Sequence, residues 1–167
     1  MAVTLDVIRM FDAYTRWADT KVFDVLSALS EEAWRKEVGG SFGSIRNTAV
    51  HLVSAQWIWL SRWRGTSPPA MWTPEEVPTS AALRARWEQV VRDRAAFLEP
   101  LTDAALAEDV RYMNLAGKPQ AIALGLLFLH MVNHSTYHRG QLTAFLRNVG
   151  AKPPSTDFVA WVMQGKP

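Results

Sequence analysis

The sequence predicts an all-α protein, a four-helix bundle with long connecting loops. Three observations carry this. Apolar residues recur at helical spacing in four long stretches, each opened by a capping residue or closed by a breaker. The stretches are parted by segments that cannot be helical, above all Thr66 to Pro78 with its four prolines. With 167 residues, 49% of them hydrophobic and 20% charged, the chain can bury a real core as one domain, residues 1–167. Four amphipathic helices solve their burial problem by packing on one another.

The first helix is expected from Thr4 to Leu29, with Leu5, Ile8, Phe11, Ala18, Val22, Val25 and Leu29 forming its stripe. Ser30-Glu-Glu-Ala reads as a capped short turn, and Gly39-Gly40 breaks the chain. Ser44 caps a second helix, Ile45 to Arg64, which stops at Gly65. Thr79 or Ser80 caps a third, which runs to Leu98 before Pro100. Thr102-Asp-Ala-Ala-Leu is a single turn of helix, and Val110 to Pro119 is irregular or a small hairpin around Gly117. The fourth helix is expected from Pro119, a suitable first-turn residue, to Val149, with Gly150 closing it. In the tail, Asp157-Phe-Val-Ala-Trp can form a last turn against the bundle. The loops are long enough to leave the order of helices around the bundle open.

Composition narrows the function. The pI near 9.2 accompanies a net charge of only +2. Thirteen of the 18 cationic residues are arginines, interleaved with acids as in Arg84-Ala-Arg86-Trp-Glu88. That pattern suits solvated helix faces and not a nucleic-acid reader, whose charge gathers in a stripe or tail. The absence of cysteine excludes disulfides, thiolate ligands and a cysteine nucleophile. No apolar run reaches the length of a membrane span. Met-Ala-Val-Thr-Leu-Asp lacks the basic and apolar regions of a secretion signal, and a cytoplasmic location is expected.

The chemistry concentrates in His130-Met-Val-Asn-His134-Ser-Thr-Tyr-His138-Arg-Gly-Gln141, which holds three of the four histidines. Residues four apart share a helical face, so His134 and His138 can aim two imidazoles at one divalent ion. His130 lies roughly 12 Å along the axis from His138. One adjacent pair can therefore share an ion, but all three cannot. Position 135 is Ser, so the glutamate base of the H-E-x-x-H proteases is missing. His51, midway along the second helix, can complete a three-histidine set from a facing helix and leave positions for water or substrate. Trp57, Trp59 and Trp63, with Trp17, are either core or the wall of a ligand pocket. Gln141 lies near enough to the histidine face to orient a ligand or bind substrate. Arg139 should bridge to an acid on a neighbouring helix, Tyr137 either donates a proton or hydrogen bond near the site or, as the simpler reading, packs in the bundle, and Ser41 and Ser44 read as caps.

Asn133-His-Ser-Thr-Tyr-His138-Arg-Gly-Gln141 closely resembles the signature of the DinB family of DinB/YfiT-like metalloenzymes. Asp12-Ala-Tyr14-Thr-Arg-Trp17-Ala-Asp19 looks like the family's first-helix motif, with Thr15 and Asp19 where Asn is frequent. Ser41-Phe-Gly-Ser44-Ile and His51-Leu-Val-Ser-Ala-Gln-Trp57-Ile-Trp look like its second-helix entry and first histidine. Asn148-Val-Gly150 and Thr156-Asp157 fit its closing segment. The resemblance spans almost the whole chain. It implies a four-helix bundle in which His51, His134 and His138 hold a divalent metal, with His130 outside that set, and it implies a homodimer. Three imidazoles suit nickel or zinc first, with iron, manganese and copper also compatible.

Related branches of that superfamily include thiol-dependent S-transferases and isomerases. The resemblance thus points to a metal-dependent enzyme acting on a small molecule, with transfer to a low-molecular-weight thiol in stress response or detoxification as the specific reading. The alternative is a non-catalytic, dimeric metal-binding bundle. A third reading, a helical bundle without metal, requires His51 to lie far from His134 and His138.

Overall fold

A computed structural model of the chain describes residues 3–165; the two residues at each end of the expected 1–167 unit lie outside it. In chain order the elements are α1 (Leu5–Leu26), α2 (Glu31–Arg35), α3 (Ile45–Trp63), α4 (Ser80–Leu98), α5 (Asp103–Ala107), β1 (Asp109–Met113), β2 (Pro119–Ala123), α6 (Leu124–Asn148) and α7 (Phe158–Val162). The four long helices, α1, α3, α4 and α6, form the bundle.

Helix starts follow the caps. Thr4, Ser30, Ser44, Thr79 and Thr102 are extended, and each side chain accepts the backbone N–H of the residue three positions on. Each such cap stabilises its helix by about 1 kcal/mol. Ser41 is exposed and caps no helix, contrary to expectation. The first helix closes at Leu26 and not at Leu29: the Ala28 and Leu29 N–H groups bond to the Val25 and Leu26 carbonyls, tightening the chain so that Ser30 can cap α2. Gly65 and Gly150 carry the positive φ that ends α3 and α6, at 83° and 75°.

The fourth long helix needs the larger correction. Pro119 does not open it; Pro119–Ala123 is a strand paired antiparallel with Asp109–Met113, in the register Tyr112 opposite Gln120 and Val110 opposite Ile122. The turn is held by the Asn114 side chain, which accepts the N–H groups of Ala116 and Lys118, and by Gly117 at φ 71°. Helical pattern and proline at a first turn both pointed to helix. Pairing with a segment before the turn overrode them, and it sets Val110, Tyr112 and Ile122 on the core near Leu60, Trp63 and Phe128. The helix starts at Leu124, whose N–H bonds to the Glu108 carbonyl.

The main helix contacts run α1–α6, α6–α3, α3–α4 and α4–α1, which gives the order around the bundle. α1 and α3 are diagonal, so the connection through α2 crosses the end of the bundle. At that end Trp34, Ile45, Leu83, Trp87 and Leu146 form one core cluster. The hairpin end is filled by the second cluster, around Trp63 and Phe128, whose rings stack at 5.4 Å. α7 packs Trp161 on Tyr14 and Ala18 of α1, and Tyr14 Oη donates to the Thr156 carbonyl at 2.8 Å. Among the described residues no helix is long and apolar enough to cross a membrane.

Candidate metal centre

α3 and α6 are neighbours, and His51 from the first meets His134 and His138 from the second. One ring nitrogen from each of the three lies within 4.8 Å of the other two. His134 Nε2 stands 3.1 Å from His138 Nε2 and 3.4 Å from His51 Nε2. With metal–nitrogen bonds of about 2.0–2.1 Å, adjacent ligands of a tetrahedral or octahedral ion sit about 2.9–3.4 Å apart. The spacing of the two short pairs therefore matches the edges of a coordination polyhedron.

The protonation states match as well. Burial pulls the pKa of His51 down to about 4, assisted by repulsion from His138. His134 is likewise lowered to about 4, by burial first and then by His138, His51 and His130. Burial also lowers His138, against a hydrogen bond to Gln141 that raises it. All three rings are thus neutral near pH 7, the form that offers a lone pair. In His138 the Nδ1–H donates to Gln141 Oε1 at 2.8 Å, which fixes the tautomer and leaves Nε2 free to ligate. A neutral, convergent, all-nitrogen donor set of this kind fits a divalent transition-metal ion.

The loop before α3 holds the His51 ring. Phe42 stacks on it at 4.2 Å with 26° between planes, and Phe42 also meets His138 edge-on. Asn47 Nδ2 donates to the Phe42 carbonyl at 2.9 Å, while the Asn47 N–H is the one capped by Ser44. Gly43 makes the turn possible: its φ is 77°, and a Cβ there would lie 2.7 Å from a Glu37 carboxylate oxygen. Neither Phe42 nor Asn47 was given a role from the sequence; the signal was the place of Phe42 between the Gly39-Gly40 break and the Ser44 cap, and of Asn47 three residues after that cap.

Beneath the histidines lies a buried polar network of which the sequence reading anticipated only the Arg139 ion pair. Asp19 is fully buried; its Oδ1 accepts Arg139 Nη1 at 2.9 Å and its Oδ2 accepts Gln56 Nε2 at 2.7 Å. Gln56 Nε2 also reaches Ser135 Oγ, and Gln56 Oε1 accepts Arg94 Nη1 at 2.9 Å. Arg94 Nε donates to Asp12, closing a set of two aspartates and two arginines that is neutral overall. Arg139 thus pairs with an acid on a neighbouring helix as expected. Ser135 and Arg139 directly follow His134 and His138, so this network fixes the rotation of α6 that presents both rings.

The remaining candidates separate. His130 is exposed, its ring 5.8 Å from that of His134, and it lies outside the group of converging nitrogens. Tyr137 does not pack in the bundle: it is 62% exposed, with its ring edge-on to His138 at 5.1 Å. Trp63 is core, Trp57 packs on Trp72, and Trp17 lies with Tyr14 in the cluster under the tail. Only Trp59 stands beside the histidine row, 5.0 Å from the His130 ring.

The chain is similar to known proteins over most of its length. The DinB family model matches residues 1–164. The chain is 26% identical to Protein DinB of Bacillus subtilis over 169 aligned positions, covering 92% of each. It is 29% identical to the uncharacterized protein YrdA of the same organism, over 78% of this chain and 75% of that one. A DinB-like protein from Bacillus cereus has the same fold, with a TM-score of 0.63 at 20% identity over 93% of this chain and 99% of that one. With its bundle and a family match over nearly its whole length, the chain belongs to the DinB family.

Proposed function

We propose that the protein is a divalent-metal-dependent enzyme in which His51, His134 and His138 hold the ion, and that it transfers a low-molecular-weight thiol to a small electrophile. The observation that carries the metal reading is the convergence of three neutral imidazoles with Nε2 separations of 3.1 and 3.4 Å. Nickel or zinc is the first expectation for such a set, with iron, manganese and copper also able to occupy it. The ion contributes Lewis acidity, lowering the pKa of a thiol or water that reaches it. The chain's own part is to hold the donors still. Gln141 orients His138, Phe42 covers His51, and the Asp19–Arg139 network sets the pitch of α6. Tyr137, exposed beside His138, is placed to donate a hydrogen bond to a bound substrate.

Among the described residues, the side chains whose ligating atoms lie in mutual reach are histidines alone. No carboxylate joins that set, which favours a thiol, a nucleophile that needs only ionisation. The setting would be detoxification or stress response in the cytoplasm, with the chain acting as a homodimer. The test is to load the protein with nickel or zinc, supply a panel of small thiols with chlorodinitrobenzene, and follow thioether formation. Metal-dependent turnover that is lost in His134→Ala supports the reading. A loaded protein that gives no rate above the uncatalysed reaction with any thiol overturns it, and leaves a non-catalytic metal-binding bundle.

A further inference from the structure

The chain buries three arginines in its bundle, and one of them has no acid. Arg94 holds Asp12 and Arg139 holds Asp19, but Arg62, only 5% exposed, makes no ion pair among the described residues. Its Nε and Nη2 are buried without a hydrogen-bond partner. Withdrawing a guanidinium from water is costly unless something replaces the lost hydration. Part of that replacement is aromatic: the group lies 4.7 Å from the Trp59 ring and 4.9 Å from the Tyr112 ring. Ring faces offset the charge but leave N–H donors unused.

The position of Arg62 gives those donors a use. It follows His51 by eleven residues on α3, which brings it back within about 20° of the same face and roughly 16 Å further along. On α6 His130 lies about two turns before His138, level with Trp59, which is eight residues past His51 on α3. A continuous row of rings results: His134 lies 5.8 Å from His130, His130 lies 5.0 Å from Trp59, and Trp59 and Tyr112 enclose Arg62. The middle of the row can be reached from outside, since His130 is exposed and Trp59 half-buried, while Arg62 at its end is 5% exposed. It has a metal-binding end, an aromatic middle and a cationic end.

We propose that Arg62 is the anchor for the anionic group of the substrate, a carboxylate or phosphate carried on an elongated molecule with an apolar or aromatic middle. The reacting group of that molecule lies at the histidine cluster, so this assignment of substrate class rests on the metal reading above. The hairpin acquires a role here, because β1 supplies the Tyr112 ring that closes the cationic end.

Cinnamate and its neutral counterpart cinnamamide are suitable probes, titrated by calorimetry into the full chain with its metal content measured in the same samples. The wild type should bind cinnamate at least about tenfold more tightly than the amide, the effect of a charge-assisted hydrogen bond. Arg62→Met should bind both equally, Arg62→Lys should keep a preference for the anion, and Trp59→Leu should weaken both alike. A wild type that does not distinguish the two, or an Arg62→Met variant that keeps the preference, overturns the proposal. The two readings fail separately. An Arg62-dependent preference in a chain that takes up no metal sustains the anion anchor and refutes the metal reading. Loss of the preference with the ion bound does the reverse.

Discussion

Asp19→Ala tests whether the buried network or the apolar core sets the pitch of α6. In the native chain the Asp19 carboxylate is inaccessible to water and accepts from Arg139 on one oxygen and Gln56 on the other. Removing it leaves Arg139, 1% exposed, with Thr136 Oγ1 as its remaining side-chain acceptor and a charge that nothing balances. Breaking a buried pair from one side costs about 3–5 kcal/mol. At about 2–4 °C per kcal/mol for a chain of this size, the melting temperature should fall by about 6–20 °C. The surface pair Glu31–Arg35 is the internal control. Its side chains are 60% and 46% exposed, and Glu31→Ala should cost under about 1 kcal/mol. The assay is thermal unfolding followed by circular dichroism, with a urea titration to convert midpoints to free energies. If Asp19→Ala melts as close to wild type as Glu31→Ala does, the network adds nothing to stability and the reasoning fails.

Other consequences follow from the same geometry. Gln141→Leu removes the acceptor that fixes the His138 tautomer and should weaken metal affinity by about 10–100-fold while leaving the melting temperature of the metal-free chain nearly unchanged, as competition with a chromophoric chelator would show. Gly117→Ala, at φ 71° in the hairpin turn, should cost about 1 kcal/mol, read from the urea midpoint. For pH dependence the sign is set by the depressed histidines. His51 and His134 have folded pKa values of about 4 against an ordinary 6.5, so below pH 6.5 the unfolded chain takes up protons first. Stability of the metal-free protein should therefore be full above pH 6.5, and fall as the pH drops from 6.5 to about 4. His134→Phe should flatten part of that slope in urea titrations across the range.

Much of the fold was legible because its signals are local. A serine or threonine cap acts on an N–H three residues away, and a glycine closes a helix by its own φ, so the bounds of α3 and α4 could be read within a residue or so. The start of α6 could not. Pro-Gln-Ala-Ile-Ala has no strand signature of its own, and its pairing with Asp109–Met113 depends on a turn built by Asn114 and Gly117. Aspartates in a helical stripe are ambiguous for the same reason. Asp12 and Asp19 lie seven residues apart, the spacing of one helix face, but the arginines that make them buried come from α4 and α6. The four-residue spacing of His134 and His138 carried the site, and His51 could be named as the facing ligand. Spacing also placed Gln141 near the histidine face, but which nitrogens converge depends on Phe42 and the antiparallel contact of α3 with α6, neither of which spacing alone encodes. Arg62 shows the limit most clearly: its sequence context is an ordinary amphipathic helix, and only packing reveals that its charge is unmatched.

Metal content of protein prepared without a histidine tag, measured by mass spectrometry for the wild type and its four histidine variants, tests the central claim most directly. The three-histidine site predicts about one ion per chain in the wild type and in His130→Ala, and none in His51→Ala, His134→Ala or His138→Ala. No ion in the wild type after incubation with nickel and zinc, or equal loss across all four variants, would contradict it.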